Sequence, residues 1–407
     1  MLRNRNFIIL IVGQIISLFG SAIQRFCMSL YLLEFTGSAG SFSRILAIST
    51  IPYVICAPIA GTIADKLNRK KVMVYLDFIS SIIIGFYAVV LFQGNDSEWI
   101  VGVTMFLLSV TYTLYAPTVS ATLPEIVTGS ELVSANGIVS QVNSIANFLG
   151  PVLAGILYSM VGIKVIVLLN GISFLLSAIM ELFLQLPEHK KEKFHFSIRQ
   201  SVHEMVETYH YVKTSKPMVY ATIASFGMSN LSFSPAFTIV TPYVMNLWLG
   251  LPSFVYGGIE AIVVLGMILG GFIITIRPSW FTMKRLPAAL FPMFPSFLAM
   301  ALVVLFGQNA KWLIVFVFAI AGFVVFMSLG ITNVISFSYI QSTIDRERLG
   351  KVSAFSTAIA TISVAPGQML YGWMIEWNVP LAVVLLITAF SNLFVTSFLY
   401  QKTKKLL

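Results

Sequence analysis

Charge is what this chain has least of. Lys, Arg, Asp and Glu make up 10% of its 407 residues and hydrophobic residues 57%, whereas a soluble domain carries about 25% charged residues. So little charge cannot clothe a water-facing surface, which excludes a soluble globular protein. Cysteine is almost absent too: Cys27 and Cys56 both fall inside apolar runs, which excludes a disulfide framework and reads as two small buried hydrophobes. The four histidines, His189, His195, His203 and His210, share one polar stretch without metal-type spacing such as H-E-x-x-H. No metal is therefore expected. An integral-membrane enzyme needs clustered His, Cys or paired acids within its spans, so an enzyme is not expected either.

What the chain does have is long apolar runs, repeating about every 30 to 35 residues. A span takes roughly 20 apolar residues, so nearly the whole length is used by twelve of them. The first six cover 7–34, 42–64, 72–92, 99–118, 133–160 and 164–186. The second six cover 218–248, 253–276, 286–306, 312–339, 352–375 and 380–400. The first run is read as a retained span rather than a cleaved leader. The expectation is an all-α membrane protein with twelve transmembrane helices in two pseudo-symmetric six-helix bundles, 1–186 and 217–407. A polar linker, 187–216, joins them. In it Ile198, Val202, Met205, Val206, Tyr209 and Val212 recur at helical spacing, which predicts an amphipathic helix along the membrane surface. Internal similarity supports a duplication: Phe19-Gly20 answers Phe226-Gly227, and Gly150 and Gly155 answer Gly367 and Gly372.

The formal charge of +9 could indicate nucleic acid or anionic lipid, but its distribution is topological. Arg3 and Arg5, then Lys66, Arg69, Lys70 and Lys71, then the linker, then Arg277, Lys284 and Arg285, then Arg346, Arg348 and Lys351, then Lys402, Lys404 and Lys405 all fall on one side. By the positive-inside rule that side is the cytoplasm, with both termini on it. Residence in the cell membrane is expected, with lipid as a partner and no nucleic acid; a monomer is the expected state.

Between spans 2 and 3 stands G-T-I-A-D-K-L-N-R-K-K, 61–71. An acid and four bases cannot sit in hydrocarbon, so this is an interfacial turn. By itself it could be no more than a topogenic basic loop. In this position it resembles the G-x-x-x-D-x-x-x-R-[KR] signature of the major facilitator superfamily, with Gly61, Asp65, Arg69 and Lys70 matching. S-E-L-V-S-A-N-G (130–137), N-F-L-G-P-V-L-A-G-I-L (147–157) and E-R-L-G-K-V-S (347–353) are similar to the macrolide-efflux branch of the drug:proton antiporters. The resemblance implies two halves that open a cavity alternately to either side, no cofactor beyond a proton gradient, and a gating role for the turn. Gly61 would admit a close helix, Asp65 would face a helix N-terminus or a base, and Arg69 would reach Asp77 or Glu125. Gly150, Pro151 and Gly155 match the glycine-rich fifth helix of antiporters. One departure stands out. Such antiporters usually carry an arginine in span 4, and 106–112 has none. The corresponding turn of the second half, 271–285, keeps Arg277, Lys284 and Arg285 but has no acid.

Charged groups inside spans are costly and so point to function. Glu260 in span 8 is the candidate coupling acid, the alternatives being a structural ion pair or a side chain reaching the interface. Arg25 in span 1 is its candidate partner, a substitute for the missing span 4 arginine, or a counter-charge for substrate. Glu34, Glu181 and Glu376 lie near span ends and read as interfacial. Asn136, Ser140, Asn143 and Asn147 share one helix face, which lines a wet cavity or bonds a neighbouring helix. Candidate cavity residues are Gln14, Ser21, Tyr53, Tyr112, Asn143, Asn147, Asn230, Phe233 and Phe237. Aromatic surface with sparse polar groups suits bulky amphipathic compounds. The expected function is export of lipophilic or amphipathic drugs by proton antiport; the alternative on the same fold is export or flipping of a siderophore or lipid-like metabolite.

Overall fold

The computed structural model describes residues 4–127, 131–186, 198–276 and 280–404; the side chains of Asp65, Lys66 and Asn147 are among those within these ranges that lie outside the description. His189, His195 and Arg277 also lie outside it. The described chain is helical, with no strand. Its helices are α1 (Arg5–Thr36), α2 (Ala39–Ile55), α3 (Ala57–Lys66), α4 (Arg69–Gln93), α5 (Glu98–Ile126), α6 (Glu131–Leu182), α7 (Ile198–Ser215) and α8 (Pro217–Pro235). They continue with α9 (Ser253–Ile276), α10 (Leu286–Leu290), α11 (Met293–Val303), α12 (Lys311–Thr343), α13 (Arg346–Ile362), α14 (Val364–Glu376) and α15 (Leu381–Thr403).

Among the described residues eight helical segments are long and apolar enough to cross a membrane unbroken, fewer than the twelve spans expected from the sequence, and particular residues account for the difference. Span 2 divides into α2 and α3 at Cys56, between Pro52 and Pro58. Span 7 leaves α-geometry after Pro235 and continues as π-turns, Ala236–Val240 and Tyr243–Trp248. Pro242 has no N–H to give, and Leu249 N bonds back five residues to Val244 O, 2.9 Å. Span 11 breaks at Ser363, three residues before Pro366. Spans 5 and 6 run together in α6, interrupted by Gly162 at φ 70°, ψ 175°. Only glycine adopts that backbone readily.

The chain forms two compact units. The first comprises 1–36 and 48–197. In it α1 packs along α6, α4 packs against both α5 and α6, and α3 lies on α5. At Gly150 a Cβ would come within 2.7 Å of Ala22 Cβ, and at Gly20 it would run into the Asn170 and Ser173 side chains, so hydrogens at both positions let α1 and α6 lie close. The second unit comprises 37–47 and 198–407. There α9 pairs with α12, α11 packs on α12 and α15, and α8 is flanked by α13, α14 and α15. The start of α2 belongs with this unit: a Cβ on Gly372 would meet Ser43 and the Ala39 carbonyl. The division therefore falls inside α2 as well as in the linker.

The amphipathic linker helix is present as α7, and its described apolar face is turned to protein as well as outward. Val212 is fully buried with Val219, Ile223, Ile340, Ile344, Val352 and Phe355, and Met205 and Tyr209 pack on the same cluster. Tyr209 meets the Phe355 and Tyr220 rings at 6.4 and 5.9 Å. The Arg348 guanidinium stacks on Tyr211, and Lys351 approaches Glu204 at 3.9 Å. Val206 stays about half exposed. Burial of one valine contributes roughly 1.5–3 kcal/mol, enough with the ring contacts to hold α7 against α8 and α13.

Candidate functional site

The charged turn is built by local capping. Leu67 is extended after α3, and the Asn68 side chain accepts from Lys71 N at 3.0 Å, starting α4. Arg69 then gathers the end of the bundle: its Nε donates to Ala64 O (2.8 Å) and its Nη1 to Ala121 O (2.9 Å) and to the Glu125 carboxylate. Of the two acids within the sequence expectation for Arg69, it is Glu125 that pairs. At Gly61 a Cβ would meet no described atom within 4 Å. Lys70 is half-buried.

Asp77 lies elsewhere, in the interior of the first unit with Glu181. They are 3% and 1% exposed, so Glu181 is not an interfacial residue despite being one residue from the end of α6. Gln14 Nε2 donates to the Tyr115 hydroxyl at 2.6 Å, and that hydroxyl donates to Glu181 Oε1 at 2.5 Å. Ser177 faces Asp77 and lies 3.4 Å from Gly13 O. One turn further along, Ser80 donates to Thr111 at 2.9 Å. Four helices thus converge on two acids. Gln14 was legible as a polar residue on span 1; its partners were not.

Elsewhere in this unit Arg25 is exposed on α1 and lies within electrostatic reach of Tyr112, whose ring meets Tyr53 edge-on at 6.0 Å. Ser21 bonds back to Ser17 O, and Asn143 to Val139 O. Gly150 and Pro151 lie in α6, where the Gly155 carbonyl accepts from Ser159.

The second unit holds a cavity of about 280 Å³. Three residues singled out in the sequence, Asn230, Phe233 and Phe237, line it, together with Phe226, Phe326, Leu286, Leu290, Leu329 and Leu399 and the polar Ser225, Ser229, Ser234, Thr238, Thr332, Asn333 and Ser336. Phe237 meets Phe326 edge-on at 4.9 Å, and both Phe233 and Phe237 contact Phe297. Asn230 donates to Phe226 O, which leaves its amide oxygen facing other groups. Glu260 is half-buried on α9, with the Tyr256 hydroxyl one turn before it as its hydrogen-bond neighbour; Tyr256 also approaches Phe237 O at 3.5 Å. Glu260 is thereby tied to the wall of the cavity. Phe326 and Asn333, on α12, were not among the sequence candidates. They share a face with Leu329 at i, i+3 and i+7, a helical spacing that could have marked them.

The Major Facilitator Superfamily profile matches residues 10–368. The chain belongs to the major facilitator superfamily. Macrolide efflux protein A of Streptococcus pyogenes is 23% identical to this transporter over 358 residues, covering 88% of this chain and 86% of that protein. The lysophospholipid transporter LplT of Cronobacter sakazakii is 29% identical over 156 residues, covering 38% of this chain and 37% of that protein. The facilitator fold is shared with a POT family transporter solved with 5-aminolevulinic acid (TM-score 0.77, 11% identity, 99% and 96% of the two chains). It is shared too with a bacterial homologue of the human lysosomal transporter Spinster in an inward-facing, unoccupied conformation (TM-score 0.75, 13% identity, 99% and 97%). This facilitator-superfamily chain is an integral membrane transporter, not an enzyme.

Proposed function

We propose that this transporter exports lipophilic or amphipathic drugs of the macrolide kind from the cytoplasm through the cell membrane, driven by proton antiport. The observation that carries the reading is a cavity walled by Phe226, Phe233, Phe237 and Phe326, with uncharged amides and hydroxyls making up its polar side. Such a wall binds apolar bulk without demanding one hydrogen-bond pattern, the recognition style of a broad-specificity exporter. At about 280 Å³ it is near the lower limit of ligand pockets, ~300 Å³, and so accommodates one ring or sugar of a large molecule rather than the whole. The similarity to a macrolide efflux protein over most of both chains supports the same reading. Glu260, linked through Tyr256 to the cavity wall, is the proposed coupling acid. Gly61, Asp65, Arg69 and Lys70 form the proposed gate, with both termini and α7 on the cytoplasmic side.

The test is a susceptibility panel on a drug-sensitive host with and without expression. Raised resistance to macrolides, reduced by Phe237→Ala and by Asn230→Ala at equal protein level, supports the reading; unchanged resistance across the panel sinks it. The partial similarity to a lysophospholipid transporter favours a second reading, transport of a lipid-like molecule. Headgroup-sensitive lipid transfer in reconstituted vesicles, without drug resistance, would select it.

A further inference from the structure

The first unit contains two acids for which neither the cavity nor the turn has a use. Asp77 on α4 and Glu181 on α6 are each more than nine-tenths buried, and each lies in the other's field. Asp77 Oδ2 and Glu181 Oε2 have no hydrogen-bond partner among the described residues. Neither acid has an ion-pair partner among them either; the nearest arginine on α4, Arg69, is two turns away and engaged by Glu125.

The groups facing the pair can be taken helix by helix. From α1 comes Gln14, which is neutral; from α5 come Tyr115 and Thr111; from α6 comes Ser177 beside Glu181; α4 adds Ser80 beside Asp77. Buried Met73 and Thr122 stand between the pair and the Arg69–Glu125 contact. Phe7, Leu10, Leu123 and Leu184 close the same end of the bundle with apolar surface. Two hydroxyl protons are on offer. Tyr115 gives its one proton to Glu181 and so has none left for Asp77; Ser177 divides its proton among Asp77, the Tyr115 oxygen and Gly13 O. Two full negative charges would leave buried oxygens bare and repel each other in a medium that screens them poorly. A single proton relieves both faults: it removes one charge and supplies the missing donor.

We propose that Asp77 and Glu181 form a proton-binding site inside the first unit, occupied by one proton shared between them. A direct readout is infrared difference spectroscopy on the full-length protein in lipid nanodiscs, in the Glu260→Gln background so that Glu260 contributes no signal. At about pH 6, where exposed carboxylic acids are ionised, a protonated-carboxyl C=O band is expected. Asp77→Asn and Glu181→Gln should each abolish it, both being near-isosteric and neutral; Tyr115→Phe, which removes a hydrogen bond to Glu181 without removing an acid, should move it to higher frequency. Absence of the band, or its persistence in both acid variants, overturns the proposal. So does its loss on adding sodium at constant pH, which would mark a metal-cation site. The role of this proton in transport rests on the proton-driven reading above. A band behaving as expected in a protein whose transport ignores a proton gradient would refute that reading and leave the site standing.

Discussion

Arg69 shows what a single side chain does in this fold. Its planar guanidinium reaches a carboxylate on α5 and two backbone carbonyls on separate helices, a fork that the point charge of lysine cannot reproduce. Arg69→Ala removes the ion pair from Glu125, whose side chain is 11% exposed, and the side-chain donor from two carbonyls, and should lower stability by about 2–4 kcal/mol; Arg69→Lys should recover less than half. Thermal unfolding in detergent decides this, and equal stability of the alanine variant would refute the assignment. This residue was legible in the sequence because an acid, a glycine and bases at fixed spacing survive translation into a turn. Glu181 was not. Its place near a helix end suggests the interface, since hydropathy reports depth along a helix but not which neighbour a side chain faces. The lateral neighbours Tyr115 and Gln14, distant in sequence, decide its burial.

At the scale of elements the interruptions carry information that composition hides. Gly162 turns α6 with φ 70°, ψ 175°, so Gly162→Ala should cost about 1–3 kcal/mol although no described atom crowds the site. A loss indistinguishable from zero in denaturant titration would contradict that. Gly150 makes the opposite case, where space rather than dihedral is limiting: Gly150→Val should force α1 from α6 and cost at least as much. The helix α7 was legible from its apolar period, but its seat was not, because Val219, Ile340 and Phe355 lie in three other segments. Val212→Asp should release it, seen as faster amide exchange across Ile198–Ser215 with α9 and α11 unchanged. Unchanged exchange would mean that α7 is held by something else. Likewise the proline-linked breaks at Cys56 and Ser363 were written in the chain, yet whether a proline kinks or ends a span depends on what neighbouring helices supply.

For the molecule as a whole, the repeated apolar runs and the long polar linker announced a duplicated helical transporter, and family membership and fold agree. Less legible was the boundary between units, which takes 37–47 into the second unit because Gly372 and Ser43 leave room for each other's helices. Substrate choice follows from cavity shape, and here the aromatic wall makes a specific demand. Phe237→Ala should change the order of preference among exported compounds more than the total rate, since it enlarges the cavity beside Phe326 without removing a charge. A uniform loss for every compound would instead point to a folding defect.

The central claim is that export draws on a proton gradient. Sealed inside-out vesicles carrying the purified protein, loaded with a pH step and offered a fluorescent macrolide, test it most directly. Accumulation is expected to follow the size of the step, to stop when a protonophore dissipates it, and to fall at least tenfold in Glu260→Gln. Accumulation indifferent to the step, or undiminished in that variant, would contradict it.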